Sequence, residues 1–377
     1  MTTELHMTFF RRYALLVCAV PGFCVANAFT SPVRAAEQAA DHAEHAGHEM
    51  EPWMYEALRQ RIDLYRNYTD AEIDASMVRM GPDYASYLSA PDARGKVGVL
   101  VLAHGYGKVG DEAFRKGLAP VAGKYPMAVA FGMSMTASRH IQQALDELTA
   151  AGADRIVVVP ALSSSASDDQ LRQWQYMFGL TDDPGYLKTP RVKTEAKVTW
   201  TPALEDHPLV IDMIADYARE MSTDPARELV LLVSHGPTLD ADNARNLALL
   251  ERIAAGLKAR DGYSDVKVMS MQNDAPVEIR QANGLRLRRH VEDANRAGRR
   301  VIIVTNLQSP RSIQQQVEND IAGTDYVFNT KGLVQHPNYA RWVDAMARAA
   351  ITDLPATDST AAQSATGRDA RETPAVR

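Results

Sequence analysis

The 377-residue sequence predicts an α/β protein: two similar doubly wound parallel-sheet lobes behind a short N-terminal helical extension. Three observations predict it. Apolar runs such as "VGVLVLA" (97–103) and "ELVLLVS" (228–234) show no polar alternation, the mark of strands covered on both faces. Segments of helical period separate these strands, and strands joined through helices run parallel. The whole order of segments then occurs twice.

Residues 1–28 read as a secretory signal: Arg11 and Arg12, an apolar stretch from Tyr13 to Val25, then the small residues Ala26-Asn27-Ala28. The expected location is therefore periplasmic or secreted. Cys18 and Cys24, the only cysteines, fall inside this segment. Once it is cleaved, disulfides, thiolate metal sites and a cysteine nucleophile are excluded. Residues 29–52 form a His-rich linker in which His42, His45 and His48 recur at every third position among acidic residues. It reads equally as a loose collector of divalent metal and as a solvated connector.

The helical extension spans 53–94. Met54, Leu58, Ile62 and Tyr65 recur at helical spacing, and Thr69 with Glu72 forms a capping box for a second helix. Pro82 and Pro91 punctuate the passage into the first lobe, 95–222. There "VGVLVLA", "MAVAFGM", "RIVVVPAL" and "KVTWTPAL" are strands. A helix carrying Ile141, Leu145 and Leu148 on one face ends at Gly152, and "HPLVIDMIADYARE" closes the lobe. The second lobe, 223–352, repeats this order, so that His104 matches His235, Gly152 matches Gly298, and His207-Pro208 matches His336-Pro337. Four collinear matches imply an internal duplication. The two His-Pro pairs read as helix starts, with proline in the first turn behind a capping polar residue. Residues 353–377 are small, polar and Pro-containing, the composition of a disordered tail.

An apolar fraction of 46%, a charged fraction of 23% and a net charge of −6 are those of a soluble globular protein without the basic face of a nucleic-acid binder. No run beyond the leader is long enough to span a membrane. No nucleophile elbow and no phosphate loop stands in the sequence. The chemistry then rests on imidazole. "AHG" at 103–105 and "SHG" at 234–236 set a histidine at the end of an apolar strand, where a doubly wound sheet opens its cleft, and the following glycine turns the chain sharply. Imidazole ligates cobalt, nickel and ferrous iron, and near neutral pH it accepts a proton.

The segments "LVLAHG", "AAGADRIVVVPAL" and "VTWTPALEDHPLVIDMI" resemble, in order and spacing, the sirohydrochlorin cobaltochelatase/ferrochelatase family, the ATP-independent class II chelatases. The resemblance covers roughly Lys96 to Ala350 as two copies. It implies insertion of a divalent metal (cobalt, iron or nickel, taken as substrate) into a tetrapyrrole held between two lobes, without ATP. His104 and His235 are the implied catalytic and metal-binding residues. Family members carry a second cleft histidine beyond the proline of the third strand and a glutamate after the second. Here those places fall at Ser167 or Asp168, at Ser312, and at Gln272 or Asp274. Asp168, Asp274 or His140 is expected to complete a variant site. Gly105, Tyr106, Ser163, Ser164 and Gly236 are the expected substrate contacts, and the hydroxyls and helix-start amides of "SSSASDD" read equally as a cradle for a carboxylate and as a polar loop. The expected partners are the metal ion and the tetrapyrrole, with the chain a monomer or weak homo-oligomer. The replaced ligands leave a second reading: a non-catalytic metal- or tetrapyrrole-binding protein on a degenerate chelatase fold.

Overall fold

The computed structural model describes residues 50–165, 168–310 and 312–352. The leader, the His-rich tract, Ser167 and the tail lie outside the described residues, as does the side chain of Asp168. Two helices come first, α1 (Pro52–Arg61) and α2 (Asp70–Met80). The capping box is formed: the Glu72 amide donates to Thr69 Oγ1 at 3.3 Å, and the Thr69 amide donates to Glu72 Oε2 at 2.7 Å.

The first sheet holds β1 (Tyr84–Tyr87), β2 (Val97–Ala103), β3 (Met127–Phe131), β4 (Arg155–Pro160) and β5 (Lys197–Trp200), in the spatial order β1-β3-β2-β4-β5. The second holds β6 (Glu228–Ser234), β7 (Asp265–Ser270), β8 (Arg300–Thr305) and β9 (Val327–Phe328), in the order β7-β6-β8-β9. Four strands thus follow one parallel order in each lobe. The expectation of a wholly parallel sheet is corrected at one edge. β1 pairs antiparallel with β3, Tyr84 opposite Phe131. Its "YASY" is too short to announce a strand, and tertiary pairing alone makes it one.

Period-two geometry explains why the strands carry no polar residues. Val99, Val101 and Ala103 of β2, with Val230 and Leu232 of β6, face a core shared by both lobes. Leu100 and Leu102 face a separate outer core, and Leu229, Leu231 and Val233 face another. The shared core is filled by α3 (Gly107–Ala122), α6 (Pro208–Arg219), α7 (Asp240–Asp261) and α10 (Pro337–Thr352). The first outer core takes α4 (Arg139–Ala150) and α5 (Asp168–Met177), and the second takes α8 (Val277–Arg296) and α9 (Gln314–Asp320).

The two closing helices are exchanged. α6, which ends the first lobe, packs on β8 of the second, and α10, which ends the second, packs on β4 of the first. Tyr217 of α6 donates its hydroxyl to the Gly332 carbonyl at 3.0 Å, and Lys124 after α3 pairs with Asp344 of α10 at 2.9 Å. Phe114 meets Tyr339 edge to face at 5.9 Å. Both His-Pro pairs start helices as expected. His207 Nδ1 accepts from the Leu209 amide and His336 Nδ1 from the Asn338 amide, each at 3.1 Å.

Candidate functional site

His104 follows β2 and His235 follows β6, so both leave the sheet at the carboxyl ends of their strands. The glycine behind each is required. Gly105 has φ +87° and Gly236 φ +76°, and a Cβ on Gly236 would overlap Ser270 Oγ. This turn folds each imidazole back onto its own loop. His104 Nδ1 lies 2.7 Å from the Gly105 carbonyl oxygen, and His235 Nδ1 lies 3.1 Å from that of Gly236. A carbonyl only accepts, so Nδ1 carries the proton in both rings and Nε2 keeps its lone pair. Metal ligation and proton acceptance both use that lone pair.

The two rings share one electrostatic neighbourhood. Burial holds the His104 pKa below the ordinary histidine value. The Gly105 carbonyl and the Asp274 carboxylate push it up, while the His235 ring pushes it down. His235 Nε2 stands 3.7 Å from Asp274 Oδ2. His104 of the first lobe thus feels the charges of His235 and Asp274 of the second. Asp274 comes from the loop after β7. Among the described residues, no three His, Cys, Asp or Glu side chains gather closely enough to cage an ion. The arrangement offers two imidazoles and one carboxylate for passing contact with a cation, not a closed resident site.

Neighbouring residues fix the His104 loop. Asp111, 5% exposed at the start of α3, accepts from the Tyr106 amide at 2.7 Å and from the Tyr84 hydroxyl at 2.9 Å. Burial raises its pKa. Tyr106 stacks on Phe114 with centroids 5.2 Å apart, and its ring lies 5.4 Å from that of His104. The tyrosine suggested as a substrate contact is thus also the prop under the histidine.

Of the suggested serines, Ser163 ties the lobes together: its hydroxyl donates to the Asn306 carbonyl at 2.6 Å and accepts from Gln308 Nε2 at 3.0 Å. Ser164 is buried and borders a pocket of about 340 Å³ with Arg245 and Arg252. Ser312 spends its amide on Gln314 Oε1 at 2.7 Å.

His140 is engaged away from His235 and Asp274, with Ser134 and Asp83. It is 4% exposed on α4, with Nε2 2.8 Å from Ser134 Oγ and Nδ1 3.8 Å from Asp83 Oδ2. Burial pushes the imidazole down to about 4 and the Asp83 carboxyl up to about 7. The order Ser-His-Asp has the look of a hydrolytic triad, but Ser134 exposes no surface and its oxygen also accepts from Trp174 Nε1 at 3.3 Å. It is a brace. Asp83 accepts the amides of Met133 and Ser134 and so holds the loop after β3. Ser134 at φ +56° and Gln272 at φ +46° put non-glycine residues in the left-handed region just past β3 and β7. Each costs of the order of 1–2 kcal/mol, a strain found where a site fixes its loops.

Sequence reasoning missed one wall of this region. Leu58, Tyr65 and Ile73 of the extension bury against Met135, Tyr186 and Leu187 of the first lobe, with Met54, Met77, Met80 and Met133 packed around them. Asp274 raises the pKa of both Tyr65 and Tyr186, after the larger effect of burial. The extension therefore reaches the neighbourhood of the second lobe's carboxylate. Amphipathic spacing showed that these helices bury a face, and gave no sign of what that face covers.

The family model CbiX matches residues 98–221. No curated protein matches the sequence. Among solved structures, SirB from Bacillus subtilis, with Fe3+, is 15% identical with a TM-score of 0.49, over 67% of this chain and 95% of that one. DR2241 from Deinococcus radiodurans, a multi-domain protein with structural similarity to chelatases and two additional novel domains, is 20% identical with a TM-score of 0.41. That likeness covers 67% of this chain and 55% of DR2241. The match to the CbiX family model thus covers about a third of this chain, and His104 follows the first strand of the matched segment.

Proposed function

We propose that this protein is an exported chelatase that inserts a divalent metal, cobalt, iron or nickel, into a tetrapyrrole such as sirohydrochlorin without ATP. One observation carries the reading. His104 and His235 come from different lobes, present the same Nε2 lone pair, and share the Asp274 carboxylate. Metallation requires a ring nitrogen to lose its proton as the cation arrives. A neutral imidazole serves as ligand or base for that exchange, and burial, by lowering the His104 pKa, favours the neutral ring. Asp274 supplies negative charge where a cation approaches His235. The residues handle the ion and the protons, and the cleft between lobes orients the ring. Export rests on the signal pattern of residues 1–28.

The replacement of the expected second cleft histidine, at Ser167 or Asp168 and at Ser312, favours a second reading, a binding protein that holds metal or tetrapyrrole without inserting one. One experiment separates the two. Purified protein is mixed anaerobically with sirohydrochlorin and cobalt, and the absorbance change is followed against a protein-free blank. Acceleration that falls at least ~100-fold in His104→Ala, the scale of a lost general base, supports insertion. Retained macrocycle binding with no acceleration supports the second reading.

A further inference from the structure

A concavity runs along α3 and the start of α10, lined by none of His104, His235 and Asp274. It encloses about 920 Å³, near the top of the ~300–1,000 Å³ typical of ligand sites. It begins at Lys108, four residues on from His104. α3 is apolar over more of its circumference than the core uses. Phe114, Leu118 and Val121 are buried in the shared core. Val109, Ala113, Gly117 and Pro120, a stripe rotated by roughly one residue's 100°, line the groove, and Val109 is 46% exposed.

Charge says what this surface would accept. Lys108, Lys116 and Lys124 on the α3 side and Arg341 on the α10 side stand against Glu112 and Asp344 alone. Lys124 is held by Asp344 at 2.9 Å, and Lys116 lies 3.5 Å from Glu112. Lys108 and Arg341, on opposite walls, meet no acid among the described residues. The groove is a local excess of cations on a chain of net charge −6. An apolar floor between two cationic walls fits a molecule with an apolar body and carboxylates at its edges.

We propose that this groove is a second, non-catalytic binding site for an apolar-bodied polycarboxylate, a station outside the cleft for the macrocycle handled there. The inference rests on the tetrapyrrole reading of the cleft. Lys108 and Arg341 grip edge carboxylates from either side, while Val109, Ala113 and Pro120 cover the ring. Proximity to the His104 loop makes the groove a holding point on the way into or out of the cleft.

Metal-free uroporphyrin, an octacarboxylate macrocycle, is the probe, and quenching of tryptophan emission counts the molecules bound. Trp342 is buried one residue from Arg341, close enough to report the groove. The wild-type chain is expected to bind two equivalents. The exposed double variant Lys108→Glu/Arg341→Glu, and separately Val109→Asp, bind one, or bind the second at least tenfold more weakly. Both keep the wild-type rate of cobalt insertion at saturating sirohydrochlorin. A single equivalent that both variants keep, or two equivalents unchanged in both variants, overturns the proposal. If cobalt is inserted by a chain whose single equivalent both variants keep, the groove fails and the cleft reading stands. If insertion is absent yet the variants lose an equivalent, the cleft reading fails and the groove stands.

Discussion

His235 Nε2 stands 3.7 Å from Asp274 Oδ2, and the same carboxylate acts on His104 across the boundary between lobes. A spacing of 3.7 Å lets one cation touch both atoms while neither side chain closes around it. That geometry suits an ion in transit. It also makes Asp274 the residue that couples two imidazoles on different sheets.

Asp274 raises the His104 pKa, so removing its charge lets that pKa fall further. Asp274→Asn is expected to move the acid limb of the pH–rate profile to lower pH. His235 acts in the opposite sense, and His235→Ala moves the limb upward while cutting the rate about 100-fold or more. Rates of cobalt insertion between pH 5 and 8 measure both. Limbs that shift in one direction in both variants contradict the assignment.

The brace behind β3 makes a separate prediction about stability. His140 is neutral when folded down to about pH 4, whereas an unfolded histidine takes its proton near 6.5. Its stabilising contribution is therefore complete above 6.5 and lost as pH falls toward 4. Asp83 titrates near 7 when folded and near 3.8 when unfolded, so its contribution is complete below 3.8 and lost as pH rises through 7. The two slopes oppose one another between 4 and 6.5. Asp83→Asn should leave the histidine slope bare, and urea midpoints should then fall more steeply on acidification than in the wild type. His140→Gln should reverse the slope.

Exchange of the closing helices joins both lobes in one core. Trp342 of α10 is fully buried there, and Trp342→Ala should cost about 3–5 kcal/mol through lost burial and an unfilled cavity. Because α10 packs on β4 while α6 packs on β8, the loss should lower a single unfolding transition. Calorimetry showing one lobe melting early with the other unmoved would rule out the shared core.

Tyr217 offers a smaller test of the same exchange. Its hydroxyl is buried against the Gly332 carbonyl at 3.0 Å. Tyr217→Phe leaves that carbonyl short of a partner at a cost of about 1–3 kcal/mol. Denaturant midpoints measure it, and the m-value should not change.

Where sequence was legible, local physics was the reason. Uninterrupted apolar runs are strands buried on both faces, and the two faces of β2 do lie in different cores. Thr69 with Glu72 and the two His-Pro pairs act over a single turn, so each could be read from neighbours in the chain. Gly105 and Gly236 were legible because only glycine takes that turn cheaply.

The partners that define the site are far apart in sequence, and no local rule joins them. His140 and Asp274 looked equally suited to complete a metal site. Only the fold puts one behind Ser134 and the other beside His235. Ser163 looked like part of an anion cradle, yet its hydroxyl is committed to Asn306 and Gln308 of the other lobe. The antiparallel edge of β1, the swap of α6 and α10, and the Tyr65 wall near Asp274 depend on which surfaces meet once helices pack on sheets. Period and composition determine which face of an element is apolar. What that face covers is decided by the rest of the chain competing for the same buried area, and tertiary structure alone decides it.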